Sequence, residues 1–158
     1  MSEVKLKVRD KEKFRTVAAV YMVLVKNGLL LLAKRANTGY ADGKYALVAG
    51  HVEAGESIKQ AMVREVYEEA GLRIAEEDLR LLLTMHRYSP SSDPPERLDF
   101  FLTADSFLGE PENMEPHKCE EMGWFPLDQL PENLVAYLRF GLDQIARGEN
   151  YCEYGFGQ

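Results

Sequence analysis

The sequence contains only two cysteines in 158 residues, Cys119 and Cys152, and they form no CxxC pair. Neither stands at zinc-ligand spacing from His51, His86 or His117, so a disulfide scaffold and a zinc centre are not expected. A reducing, cytoplasmic setting is the plain reading. Long apolar runs are also missing: the longest, Thr16 to Val25, is about half of the roughly 20 residues that a membrane-spanning helix needs. A secretion leader is not expected, because Asp10 and Glu12 stand among the basic residues before that run and Lys26-Asn27-Gly28 follow it. Positive charge is in deficit, with 19 Lys+Arg against 26 Asp+Glu and a net charge of −7. That balance disfavours a protein whose main work is gripping a nucleic-acid backbone. It leaves small phosphorylated substrates open, since a bound metal ion supplies positive charge locally. There are no repeats, linkers or low-complexity tracts. A hydrophobic content of 46% is enough for one core, and residues 1–158 read as one domain.

The first element is the β-branched run Val17 to Val25, which stops at Asn27-Gly28 before Leu29 to Ala33 resume it. An Asn-Gly pair between two such runs signals a hairpin, because both central residues of a type I′ turn need positive φ. Continuous hydrophobicity on both sides predicts strands buried on two faces. A polar loop over 36–44 precedes a short apolar stretch at 45–49, and 51–56 reads as a loop. Ser57 to Ala70 reads as a helix with marked ends: Ser57 and Gln60 have capping-box spacing, and Gly71 suits the left-handed position past the last turn. Two strands are expected at Leu79–His86 and Leu98–Ala104, then an acidic loop over 105–121 and a short strand around Trp124-Phe125. Leu134, Val135, Leu138, Leu142 and Ile145 repeat at helical spacing and predict a second helix from about Glu132 to Arg147. The class is α+β, with helices interrupting a mixed sheet. The terminal Tyr151-Cys-Glu-Tyr-Gly-Phe-Gly157 is expected to pack against the domain, the alternatives being frayed chain or a cover for the active site.

The helix carries the chemistry. Glu65, Glu68 and Glu69 fall within an arc of roughly 100° at about 3.6 residues per turn. Carboxylates that close repel and raise one another's pKa. Beside the apolar stripe of Met62, Val66 and Ala70 they call for a cation, and oxygen-only ligands suit Mg²⁺ or Mn²⁺. A solvated acidic helix face is the competing reading of the helix taken alone.

The wider pattern decides between them. Gly50 to Leu72 reads G-x5-E-x7-R-E-U-x-E-E-x-G-U, where U is a bulky aliphatic residue, with all nine specified positions filled and no gap. This resembles the signature of the Nudix (MutT-like) hydrolases. The late Trp124-Phe125-Pro126-Leu127-Asp128 before a final helix is similar to the order usual in that family. The resemblance implies an α/β/α sandwich with a central mixed sheet and flanking helices. It also implies Mg²⁺ (or Mn²⁺) held by Glu65, Glu68, Glu69 and the Gly50 carbonyl, with Arg64 and Glu56 orienting the glutamates. The implied reaction is attack of water on phosphorus in a nucleoside diphosphate linked to a further group. Glu69 is the first candidate for the proton acceptor, and Glu112, Glu115, Glu120 and Glu121 in the acidic loop are the others.

On the substrate side, Arg35 ends the second hairpin strand where some MutT-like relatives carry a phosphate-contacting arginine. His86 and Trp124, with Tyr21, Tyr45 and Phe100, are candidate rings for stacking on a base. Subfamily markers are mostly absent, and Val48-Ala49-Gly50 stands where many relatives read Pro-Gly-Gly. The leading expectation is a nucleoside triphosphate, oxidised or otherwise non-standard, cleaved to monophosphate and pyrophosphate. The alternative is a nucleoside-diphosphate sugar or ADP-ribose, and a remoter one is a non-catalytic nucleotide-binding module. A small nucleotide is the expected partner, with no membrane, and a homodimer is left open.

Overall fold

The computed structural model describes residues 14–157. The Asn-Gly turn forms as its chemistry requires: Asn27 has φ 52° and Gly28 φ 75°. It joins β2 (Val25–Lys26) to β3 (Leu29–Arg35). The long apolar run before it is not one strand, however. β1 (Val17–Met22) pairs with β5 (Val48–His51) and β7 (Glu96–Ala104), whereas β2 pairs with β3 in a second sheet. Val23 and Leu24 carry the chain from one sheet to the other, both buried. The stretch at 45–49 divides in the same way: β4 (Tyr45–Ala46) pairs with β3, and β5 pairs with β1. One sheet runs β5-β1-β7-β6-β9, with β6 at Leu79–Tyr88 and β9 at Tyr151–Tyr154; the other centres on β3, which also pairs β8 (Cys119–Pro126).

Alternation along β1 sorts the core into two halves. Ala19 and Tyr21 face a cluster with Leu83, Met85, Phe101 and Leu138 of α2 (Ala136–Ala146). Val20 and Met22 face a cluster with Met62, Val66 and Ala70 of α1 (Ile58–Ala70). The two helices therefore lie on opposite sides of the larger sheet, the α/β/α sandwich expected.

α2 starts later than its periodicity suggests. Tyr45 N–H donates to the Asn133 carbonyl and Val135 N–H to the Tyr45 carbonyl, so 133–135 run extended beside β4 and the first helical turn waits until Ala136. Gly141 brings α2 against the sheet: a Cβ there would sit 2.8 Å from Phe101 Cζ and 3.1 Å from Met85 Cε. Both neighbours are fully buried and cannot swing away. Gly141→Ala is expected to cost about 1–2 kcal/mol net of its helix-propensity gain, measured as a lower Tm and urea midpoint. A Tm at or above that of the unaltered protein would contradict this packing.

The C-terminal segment packs against the domain as β9, parallel to β6, and the Phe156 ring beyond it packs at a tilt against His86 with ring centroids 4.6 Å apart. No helix among the described residues is long and apolar enough to cross a membrane.

Candidate functional site

α1 is fixed at both ends, which sets the phase of its glutamates. Ser57 Oγ accepts from Gln60 N–H, Gln60 Oε1 accepts from Ser57 N–H, and Gly71 closes the helix at φ 68°. Arg64 is the hub of the polar face. Its Nε and Nη2 grip the two oxygens of Glu56 at 2.7 and 2.9 Å, Nη1 donates to Glu65 at 2.7 Å and Glu68 at 3.4 Å, and Nη2 also reaches the His51 carbonyl. This two-pronged fork ties the loop at 51–56 to the helix. It holds the Glu56 carboxyl down at about 2, with the Glu53 N–H helping.

That depression has a pH consequence. A carboxylate whose folded pKa lies below its ordinary value of 4.5 stabilises the fold fully above 4.5, and the contribution fades as pH falls through about 2. Glu56→Gln is therefore expected to flatten the acid limb of a Tm–pH curve between 4.5 and 2 while leaving the slope near neutrality alone. An unchanged acid limb would contradict the fork.

Glu65 and Glu69 form the opposite case. Burial pushes the Glu65 carboxyl up, with Arg64 pulling against it. Burial and the neighbouring Glu65 charge push Glu69 up to about 8, although the Ala49 N–H donates to its Oε2. Glu68, by contrast, is 51% exposed and turns toward Arg64. Among the described residues no group of three or more His, Cys, Asp or Glu side chains is gathered as a ready-made metal site. The donors nevertheless fit a hard cation in kind. Two largely desolvated carboxylates, with the Glu65 charge raising Glu69, favour a further positive charge beside them, and oxygen donors are what Mg²⁺ or Mn²⁺ take.

Gly50 explains how Glu65 gets there. A Cβ at this position would fall 1.9 Å from Glu65 Oε1 and 2.0 Å from its Cδ. β5 is an edge strand, and the bare backbone at Gly50 lets the carboxylate lie over it. Glu65, Glu69 and Gly50 thereby border a cleft of about 570 Å³ between the two sheets. Four alanines, Ala19, Ala33, Ala46 and Ala49, are among the side chains that line it.

The acidic loop delivers one glutamate. Glu112 N–H donates to the Ala70 carbonyl and Met114 N–H to that of Glu69, docking the loop on the end of α1 and bringing Glu115 into the cleft. The other loop candidates are engaged elsewhere: Glu120 pairs with Lys34 at 3.2 Å, and Glu121 accepts from the Tyr45 hydroxyl at 2.8 Å. Glu112 does not line the cleft. Arg35 does, its Nε donating to the Tyr40 carbonyl and its Nη2 to Thr38 Oγ1.

His86 and Trp124, expected from the sequence to stack on a base, do not line this cleft. His86 alternates with Met85 and Arg87, which face the cleft side, so it faces away; its Nε2 meets Glu96 at 3.0 Å under Phe156. Trp124 pairs in register with Leu31, faces the α1 cluster and stacks near Phe107. Phe100 belongs to the same cluster. The residues that do line the far part of the cleft are Tyr40, Arg87, Arg97, Tyr137 and the Tyr21 already flagged. Arg87, Arg97 and Tyr137 come from β6, β7 and α2, and only strand register and helix packing bring them together, so no spacing in the sequence announces them.

With that geometry in place, comparison with known proteins identifies the class. Residues 13–145 match the NUDIX domain family. The chain belongs to this family of hydrolases. Among curated relatives, it is 33% identical over 132 residues to an ADP-ribose pyrophosphatase of Methanocaldococcus jannaschii, covering 80% of this chain and 74% of that protein. It is 33% identical over 115 residues to the NAD-capped RNA hydrolase NudC of Chromobacterium violaceum, covering 73% of this chain and 40% of that protein. The chain thus spans about 40% of the length of the NudC relatives it matches. A solved MutT NUDIX hydrolase from Burkholderia pseudomallei superposes with a TM-score of 0.74 at 29% identity, covering 83% of this chain and 98% of that one.

Proposed function

We propose that this chain is a divalent-metal-dependent hydrolase that cleaves the phosphoric anhydride of a nucleoside diphosphate joined to a second group. The observation that carries the reading is the placement of Glu65 and Glu69, on a helix locked by Arg64 and Glu56, at the border of the 570 Å³ cleft whose other walls carry Arg35, Lys34, Lys118 and Arg97. Carboxylates on one side and cations around the rest suit a phosphate chain with an ion against the glutamates.

Glu65 and Glu69 would hold Mg²⁺, with Glu68 and the Gly50 carbonyl the nearest further donors in sequence; when bound, the ion supplies charge neutralisation at phosphorus. Arg64 keeps Glu65 from swinging away. Arg35 and Arg97 hold non-bridging phosphate oxygens. With Glu65 and Glu69 committed as ligands, Glu53 and Glu115 are the carboxylates left lining the cleft, and Glu115, whose charge bears on both Glu65 and Glu69, is the one placed to take the proton of the attacking water. The new P–O bond forms to that water oxygen, the bridging P–O bond breaks, and two monophosphates leave.

The relatives favour a second group over the triphosphate expected from the sequence alone, because both printed activities, ADP-ribose pyrophosphatase and NAD-capped RNA hydrolase, concern an ADP joined to something else. The test is a Mg²⁺ incubation with ADP-ribose, NAD, a NAD-capped oligoribonucleotide, and ordinary and oxidised nucleoside triphosphates, products being read by mass spectrometry. AMP plus ribose 5-phosphate, or AMP plus nicotinamide mononucleotide, is the expected result. Cleavage of triphosphates alone, to monophosphate and pyrophosphate, would overturn the choice of substrate in favour of the triphosphate reading.

A further inference from the structure

The larger sheet places an unusual polar group in the apolar half of the core that faces α2. Arg87 on β6 is 5% exposed and Asp99 on β7 is fully buried, and Arg87 Nε donates to Asp99 Oδ2 at 2.5 Å. The Tyr137 ring of α2 covers the guanidinium at 3.9 Å, and the Tyr137 and Tyr21 hydroxyls meet at 3.2 Å. Around them stand Leu83, Met85, Phe101 and Leu138. A buried ion pair in such surroundings is seldom better for stability than apolar residues of the same volume, so its presence asks for another reason.

The cleft supplies one. Tyr21, Arg87 and Tyr137 all line it. A guanidinium has five N–H donors; Arg87 directs those of Nε and Nη2 to Asp99, and its other donors have no protein partner among the described residues. The strand order β5-β1-β7-β6 puts Arg87 three strand spacings from the Gly50 strand, or about 14 Å at about 4.8 Å each. That separation matches the distance from an anhydride to the ring at the far end of a nucleotide. Between the two, Arg97 stands opposite Arg87 in register, its Nη1 at 2.9 Å from His51 Nε2 and its Nε buried without an acceptor. Crossing the sheet, a ligand therefore meets carboxylates, then a cation, then a polar pocket in which Asp99 balances the arginine.

We infer that the β6–α2 end of the cleft is a ring-recognition subsite in which Arg87 and Tyr137 donate to a neutral carbonyl acceptor of the substrate, such as that of guanine or of a nicotinamide carboxamide. A neutral group fits because Asp99 already answers the Arg87 charge, and an anion there would lie against a buried carboxylate. The free Nη1 donors of Arg87 and the Tyr137 hydroxyl match the acceptor carbonyl of guanine and oppose the amino group of adenine. The inference rests on the proposed function and narrows it: this end of the cleft takes the carbonyl-bearing ring, as in the nicotinamide of NAD or a guanine nucleotide, and not the adenine of an ADP compound.

The test is calorimetric titration of GMP, nicotinamide mononucleotide and AMP into the full chain and its Tyr137→Phe and Arg87→Lys variants, with near-ultraviolet circular dichroism as the check on folding. The expected result is binding of GMP or nicotinamide mononucleotide (whichever binds identifies the source of the carbonyl), at least about tenfold weaker binding of AMP, and a loss of about tenfold or more in either variant. Tyr137→Phe keeps the ring over Arg87 and carries the test if Arg87→Lys fails to fold. AMP bound as tightly as the other two, or Tyr137→Phe binding as the unaltered protein does, would overturn the inference. Turnover in the substrate panel together with unaltered binding by Tyr137→Phe would sink the subsite and leave the proposed reaction standing. Selective monophosphate binding with no turnover would do the reverse.

Discussion

Gly50→Ala is expected to abolish most turnover while leaving the chain folded. The added methyl would occupy space within 2.4 Å of both Glu65 carboxylate oxygens, far inside any real contact distance. β5 cannot retreat, since it pairs with β1 through Val20 opposite Gly50, so the side chain of Glu65 must give way. Displacing it breaks its bond to Arg64 and separates it from Glu69. A misplacement of about 1 Å in a reacting constellation costs about 10²-fold, and loss of an ion ligand adds to that. A drop in kcat/KM of about 10²–10³-fold is therefore expected for the smallest substitution there is, with the far-ultraviolet circular dichroism spectrum retained. Activity within a factor of about two of the unaltered enzyme would mean that Glu65 is not part of the site.

Glu69→Gln is expected to be as severe, and the comparison with Glu68→Gln discriminates. Glutamine is nearly isosteric and its carbonyl can still accept from the Ala49 N–H, so the fold survives. What disappears is one of the two carboxylate charges at the cleft, for a loss of about 10²–10³-fold in kcat. Glu68 is half-exposed and does not line the cleft, so Glu68→Gln is expected to cost less, by at least about tenfold in kcat relative to Glu69→Gln. The helical spacing alone places all three glutamates on one arc and does not separate Glu68 from Glu69 as ligands. Equal losses in both variants would show that Glu68 turns inward when the ion is bound.

How much of this was legible beforehand follows from the range of the interactions. α1 was readable to within a residue because Ser57, Gln60 and Gly71 act on their own neighbours. The Asn27-Gly28 turn was readable for the same reason. The change of sheet at Val23-Leu24 and the division at Leu47 were not, because an apolar run long enough for one strand carries no mark of which partner each half will pair with. The start of α2 is not legible in the sequence, because Leu134 and Val135 fit the helical period, yet β4 claims their backbone. Within the site, the Gly50–Leu72 signature pointed to the carboxylates, while the residues of the cleft's far end come from three separate elements. Strand parity decides that His86 and Trp124 do not line the cleft: each lies on a strand that reaches the cleft region, one position out of phase with the face that lines it.

The central claim is that Glu65 and Glu69 together hold a divalent ion at the border of the cleft. It is tested most directly by titrating Mn²⁺ into the protein and into the Glu65→Gln/Glu69→Gln double variant, following binding by calorimetry and by the loss of the free-ion paramagnetic resonance signal. Saturable binding by the unaltered chain that vanishes in the double variant is the result predicted. Equal binding by both proteins, or none by either, would contradict it.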